Sequence, residues 1–120
     1  MSDTDVVHRM IAAWGRLDSA GILACMAPDA VYHNIPMPEL VGQEAIRGFL
    51  DSFLAQATAC EFHVHNEAVS ETGVVFNERT DVFKMANGKE ISLPVAGVFE
   101  VRDGLISKWR DYFDLGQFQR

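Results

Sequence analysis

The stretch that most restricts the fold runs from residue 60 to residue 113. It is cut three times by tight-turn sequences: ETG at 71–73, ANGK at 86–89 and RDG at 102–104. Asn-Gly between apolar runs is the strongest short-range hairpin signal, because both residues tolerate positive φ. The intervening runs are 60–70, 74–85, 90–101 and 105–113. Their apolar residues alternate with polar ones, most clearly Cys60, Phe62 and Val64 against Glu61, His63 and His65. Strands joined by turns this short pair antiparallel, so the spacing predicts a meander of four long strands. Pro94 falls inside the third of them, where the missing N–H predicts a bulge or an edge position.

The first half of the chain has the other periodicity. Val7, Met10, Ile11 and Trp14 fall at i, i+3, i+4 and i+7, which predicts an amphipathic helix over 3–16, with Ser2 as N-cap and Asp5 three residues on. Asp18 is a second N-cap, ahead of a short helix SAGILACMA that ends at Pro28 and turns Ile22, Leu23 and Met26 to one face. AVYHNI (30–35) is a short strand, and PMPELVG after it is a loop with two prolines. Ile46, Phe49, Leu50, Phe53, Leu54 and Ala57 mark a third helix over 43–57, whose wide stripe predicts burial. Helices first and strands later make the class α+β, in a single domain over 1–120. The expected form is a cone: a curved, barrel-like antiparallel or mixed sheet, with three helices from the N-terminal half on its concave face and a pocket at the open end.

Strand parity then selects the chemistry, because residues i and i+2 share a face. In NERTDVF (77–83), Arg79 and Asp81 share theirs with Val75, Phe83 and Met85. In LISKWRDYFD, Asp111 shares its face with Trp109 and Phe113, while Arg110, Tyr112 and Asp114 point away. Tyr32 and Asn34 share a face of the short first strand. Three strands therefore each bring polar groups among apolar neighbours. An Arg between two carboxylates can hold both in charge-assisted hydrogen bonds. Close carboxylates in an apolar site resist double ionisation, which yields one acid and one base. Such a pair suits addition of water to a strained ring, with Tyr32 and Asn34 positioning the water. On the residues alone, a solvated strand face carrying a surface ion pair fits Arg79 and Asp81 as well. A half-buried ring and a turn residue likewise fit Tyr32 and Asn34.

Composition narrows the partners. The net charge is −7 with no Lys/Arg cluster, so nucleic acid and anionic membranes are poor partners and a neutral small molecule is acceptable. No apolar run approaches the ~20 residues that span a bilayer. MSDTDVVHRM has no basic segment leading into an apolar core, so no signal peptide is expected and a cytoplasmic location is. Cys25 and Cys60 lie in apolar stretches without a CxxC, as buried reduced thiols do. His63 and His65 share a predicted face with Glu61 and Glu67, but no third metal ligand is evident. GxSxG is absent, which excludes the serine elbow of α/β-hydrolases.

YHN (32–34), RTD (79–81) and WRDYFD (109–114), together with GQEAIRGF (42–49) and GVFEVRDGLISKW (97–109), resemble the limonene-1,2-epoxide hydrolase family, in the SnoaL-like, nuclear transport factor 2-like superfamily. The resemblance spans nearly the whole chain. It implies a cofactor-independent epoxide hydrolase, with no metal, that converts a hydrophobic epoxide (limonene-1,2-epoxide or another cyclic or terpenoid one) and water to a vicinal diol in one step. Asp111 is implied as general base, with Tyr32 and Asn34 holding the same water. Asp81 is implied as general acid, and Arg79 as the bridge between the two carboxylates. Trp109, Phe83, Phe113, Leu93 and Met26 are the expected substrate-binding residues, with Leu23, Phe49, Phe53 and Phe99 as further apolar lining. A homodimer is also implied. Longer relatives carry an extra leading segment, which bears on pocket closure or on dimer contacts, so the resemblance leaves the pocket's size open. The same cone can instead host cyclase or ketosteroid-isomerase-like chemistry, or bind small molecules without catalysis.

Overall fold

The computed structural model describes residues 2–119. Its elements are α1 (Asp3–Gly15), α2 (Ser19–Ala24), β1 (Met26–Asn34), β2 (Leu40–Val41), α3 (Gln43–Ala55), β3 (Ala57–Val69), β4 (Val74–Met85), β5 (Glu90–Arg102), β6 (Leu105–Tyr112) and α4 (Leu115–Gln119). The strands form one curved sheet in the order β2-β1-β6-β5-β4-β3, with the helices packed on it. The sheet is open rather than closed into a barrel, ending at β2 on one side and β3 on the other. It is mixed: β3 to β6 form an antiparallel meander, and β1 lies parallel to β6.

The turns carry the meander in different ways. Arg102 pairs with Leu105, so Asp103-Gly104 is a two-residue loop, and both residues have positive φ, 54° and 77°. That is the twist-matched turn of a tight hairpin. The Asn87-Gly88 turn is longer, since pairing resumes at Lys84 and Glu90, and of these two residues only Gly88 has positive φ. Pro94 causes no bulge, because the β4–β5 register runs unbroken through Thr80 and Pro94. Although β5 lies inside the sheet, its pairing with β6 stops at Ala96 and Tyr112. Pro94 thus overhangs the end of β6 and interrupts no ladder on that side.

Several boundaries differ from the sequence reading. α2 ends at Ala24, and Met26 already belongs to β1, which places Pro28 inside a strand instead of at a helix end. The proline is accommodated because β1 pairs with β6 at Met26 and then only from Val31 onward. The loop after β1 holds the short strand β2, and α4 follows β6. α4 adds a fourth helix, at the C-terminus, to the three expected. Asp18 caps α2 by accepting from the Gly21 N–H at 3.0 Å.

One bulge reverses a parity assignment. Val64 pairs with Arg79 but Asn66 pairs with Glu78, so His65 is an extra residue in β3. Glu67 therefore lies opposite Asn77, on the helix-covered face, and does not share a face with His63. His63 bonds Glu61 and His65 bonds Thr80, so neither pairs with Glu67.

The core lies between the helices and one face of the sheet. Val7, Met10 and Trp14 of α1 and Ile46 and Leu50 of α3 meet Val75, Phe99, Ile106 and Trp109 of the strands. Among the described residues, four polar ones are buried on that face: Asn77, Arg79, Asp81 and Asp111. Burying them is tolerable only if each is hydrogen-bonded, which directs attention to how they meet.

Candidate active site

β4 supplies three of the four buried polar residues at alternate positions, and β6 supplies the fourth across β5. Register brings them together: Asn77 lies opposite Gly97, Gly97 opposite Asp111, and Asp111 beside Asn34 of β1. The Arg79 guanidinium sits at the centre. Its Nε donates to Asp81 Oδ1 at 3.0 Å and its Nη2 to Asp81 Oδ2 at 2.9 Å, a bidentate pair. Nη2 also donates to Asp111 Oδ2 at 2.9 Å, and Nη1 donates to Asn77 Oδ1 at 2.9 Å. Phe62 and Phe99 lie 5.0 and 5.9 Å from the guanidinium carbon, so the cation is held among aromatic rings as well as between carboxylates.

Asp111 has a second partner. The indole N–H of Trp109 donates to its Oδ1 at 2.6 Å, the oxygen that Arg79 does not bond. Trp109 in turn stacks on Tyr32, with centroids 4.2 Å apart, and on Phe99 at 5.4 Å. The β1–β6 register aligns Tyr32 with Trp109 and Asn34 with Asp111, so the two expected water-holding residues stand beside the expected base.

Burial and neighbouring charge shift three of these groups. Burial pushes Asp81 from its ordinary 3.8 up to about 6; Arg79 opposes the rise and the Asp111 charge adds to it. Burial works against the charge on Arg79, but Asp111 and Asp81 outweigh it, so its pKa is raised and the side chain stays a cation. Burial also pushes the Tyr32 phenol well above its usual range, with the Asp111 charge adding to the effect and the Asn34 hydrogen bond opposing it. Tyr32 is therefore a neutral O–H at neutral pH.

These groups open onto a pocket of about 440 Å³ whose polar lining includes Tyr32, Asn34, Asp81 and Asp111. A volume of that size suits a small ligand, and the rest of the wall is largely apolar. Of the expected substrate-binding residues, Phe83, Phe113 and Leu93 line it, as do Phe49 and Phe53. Met26 and Trp109 do not. Met26 pairs with Ile106 in the core at the start of β1, and Trp109 is wholly buried behind Asp111. Leu23 and Phe99 are likewise core residues outside the lining.

Sequence reading missed several contributors, among them Trp14, Phe62, Ile91 and Val95 of the pocket wall, and above all Asn77 and Phe118. Asn77 has the same parity as Arg79 and Asp81, and that alone could have marked it. Phe118 reaches the pocket from α4, packing on Phe53, Phe83 and Phe113 with centroids 6.1–6.4 Å apart. The signal for α4 is Asp114, whose Oδ1 accepts from the Gly116 N–H at 3.0 Å at the start of the helix.

The family described as limonene-1,2-epoxide hydrolase catalytic domain matches residues 1–119. The chain belongs to this family. It is 32% identical over 92 residues to epoxide hydrolase EphG of Mycobacterium tuberculosis, a match spanning 77% of the chain and 60% of the relative's length. A solved structure of an M. tuberculosis LEH-like epoxide hydrolase superposes with a TM-score of 0.85 at 28% identity, covering 98% of this chain and 86% of that one. A crystal structure from Xanthomonas campestris pv. campestris, described as a putative polyketide cyclase, reaches 0.86 at 24% identity, covering 97% and 93%, and shares the fold. No helix among the described residues is long and apolar enough to cross a membrane.

Proposed function

We propose that the chain is a cofactor-independent epoxide hydrolase that adds water to a hydrophobic cyclic or terpenoid epoxide of the limonene-1,2-epoxide kind. The observation that carries this reading is the buried Asp81–Arg79–Asp111 cluster opening onto an apolar pocket beside Tyr32 and Asn34. An apolar binder has no use for two acids around one buried cation, whereas ring opening by water needs a base and an acid at once.

In this mechanism Asp111 is the base. A water held by Asp111, Tyr32 and Asn34 gives its proton to Asp111 as its oxygen attacks one epoxide carbon. The carbon–oxygen bond breaks on the opposite face, and the departing oxygen takes a proton from Asp81. The product is a vicinal diol inverted at the attacked carbon. One proton has been gained by Asp111 and one lost by Asp81, so returning a proton from Asp111 to Asp81 closes the cycle. Arg79 keeps the pair in place and stabilises whichever carboxylate is charged. The pKa of Asp81, raised to about 6, suits the acid role, because a carboxyl at its ordinary value would hold almost no proton near neutrality.

The family resemblance also supports a homodimer formed through the sheet face that the helices leave uncovered. Phe76 and Tyr112 stand about half exposed there. Sedimentation analysis should give twice the chain mass, and a monomer at micromolar concentration would remove this part of the reading.

The test of function is product analysis on a panel of cyclic and meso epoxides with chiral separation of the diols. Enzyme-dependent diol from at least one apolar cyclic epoxide is expected. No diol from any panel member, with the epoxides recovered or isomerised, would overturn the assignment.

A further inference from the structure

We propose that Asn77 is a positioning residue for Arg79, and that Glu67 and His8 hold Asn77 in turn. The inference deepens the epoxide-hydrolase reading and rests on it where activity is concerned.

Asn77 is 4% exposed and stands in one register row with Glu67, Gly97 and Asp111. Its Oδ1 takes the hydrogen bond from Arg79 Nη1, while its Nδ2 donates to Glu67 Oε2 at 3.4 Å. The other Glu67 oxygen, Oε1, meets His8 Nε2 at 2.7 Å, which ties the chain to α1. The amide can point only one way. A flip would set its NH₂ against the guanidinium N–H and its oxygen against a carboxylate.

All three guanidinium nitrogens are then engaged: Nε and Nη2 by the carboxylates, and Nη1 by Asn77. Without Asn77 the guanidinium is held along one edge only. Rotation in its plane would lengthen the bond to Asp111 while keeping one to Asp81. Gly97 shows how closely the space is fitted. A Cβ there would collide with Arg79 Nη1 and lie 2.9 Å from both Asn77 Oδ1 and Asp111 Oδ1. The backbone of β5 must therefore be bare where Asn77, Arg79 and Asp111 meet. An unpaired buried N–H on a charged group is costly, and a misplaced cation between acid and base costs rate more than binding.

The test combines side-chain NMR with kinetics. In wild type the two Arg79 Nη groups should give separate, slowly rotating signals, assigned by their loss in Arg79→Lys. Asn77→Leu keeps most of the volume and removes the acceptor. It should average those signals and lower kcat roughly 10- to 100-fold with KM within about twofold. Asn77→Asp keeps an acceptor and should restore the separate Nη signals. Should the Leu variant not fold, Glu67→Ala, one link further from Arg79 and partly exposed, should lower kcat about threefold and broaden the same signals. Unchanged Nη signals and kcat in Asn77→Leu, or in Glu67→Ala if that is the variant available, would overturn the proposal. A wild type that opens no epoxide would remove the functional reading, and the NMR comparison would still decide whether Asn77 positions Arg79.

Discussion

Two walls of one pocket are built on different principles. At the heart of the polar wall Arg79, Asp81 and Asp111 are buried, and each has its orientation set by register and by two or more hydrogen bonds. The apolar wall is made largely of rings from separate elements: Phe49 and Phe53 from α3, Phe113 after β6 and Phe118 from α4. All four of those rings are only partly buried, whereas Arg79, Asp81 and Asp111 are at most 4% exposed. Hydrogen bonds fail abruptly when an atom moves by half an ångström, while ring contacts adapt by small shifts. The polar wall should accordingly set whether the reaction occurs, and the apolar wall which epoxide enters and how it lies.

The largest expected effect is on the polar wall. Asp111→Asn should reduce kcat by about 10³-fold or more while leaving the fold and ligand binding in place, as read by circular dichroism and diol binding. A loss below about tenfold would mean that another group takes the proton.

The second effect is a trade between stability and chemistry at Asp81. Its pKa is raised from 3.8 to about 6 in the fold, so the native state binds the proton more tightly than the unfolded chain does. That contribution is full below about pH 4 and is lost as the pH rises through about 6, amounting to on the order of 3 kcal/mol. Urea unfolding across this range should show wild type losing stability relative to Asp81→Asn, and kcat/KM should decline above about pH 6 as the acid loses its proton. Parallel stability curves would show that burial does not hold Asp81 protonated.

Next comes Gly97→Ala, which places a methyl among Arg79, Asn77 and Asp111. It should cost about 1–3 kcal/mol by overpacking and also impair turnover, measured by urea unfolding and steady-state rates. Smallest is the change on the apolar wall. Phe118→Ala should raise KM about tenfold and alter the diol ratio, with kcat within about twofold, because one ring's burial is worth only a few kcal/mol. A kcat loss there as large as in Asp111→Asn would erase the distinction between the two walls.

The polar wall was the more legible in sequence, and the reason is the same rigidity. Period-two parity in 77–83 and 105–113 put Arg79, Asp81 and Asp111 on one face, and β5 between their strands preserves that alignment. Parity failed where the backbone departs from it, at the His65 bulge that carries Glu67 to the covered face. Asn77 was readable by the same rule. The apolar wall was harder to read, because any Phe or Leu on a covered face can serve either core or pocket. Met26 and Phe99 proved to be core, and Phe118 lies on a short helix without helical periodicity to mark it. The early start of β1 was hidden by Pro28, which the gap in β1–β6 pairing accommodates, and β2 by the proline-rich loop that precedes it.

The central claim is that water held at Asp111, and no carboxylate of the protein, attacks the epoxide. A single-turnover reaction in ¹⁸O-water, with enzyme in excess over epoxide, tests it most directly. Direct attack places one ¹⁸O in the diol during the first turnover and none in the protein. Unlabelled diol in that turnover, with ¹⁸O appearing in Asp111 or Asp81 after proteolysis and mass spectrometry, would show an ester intermediate and contradict the account.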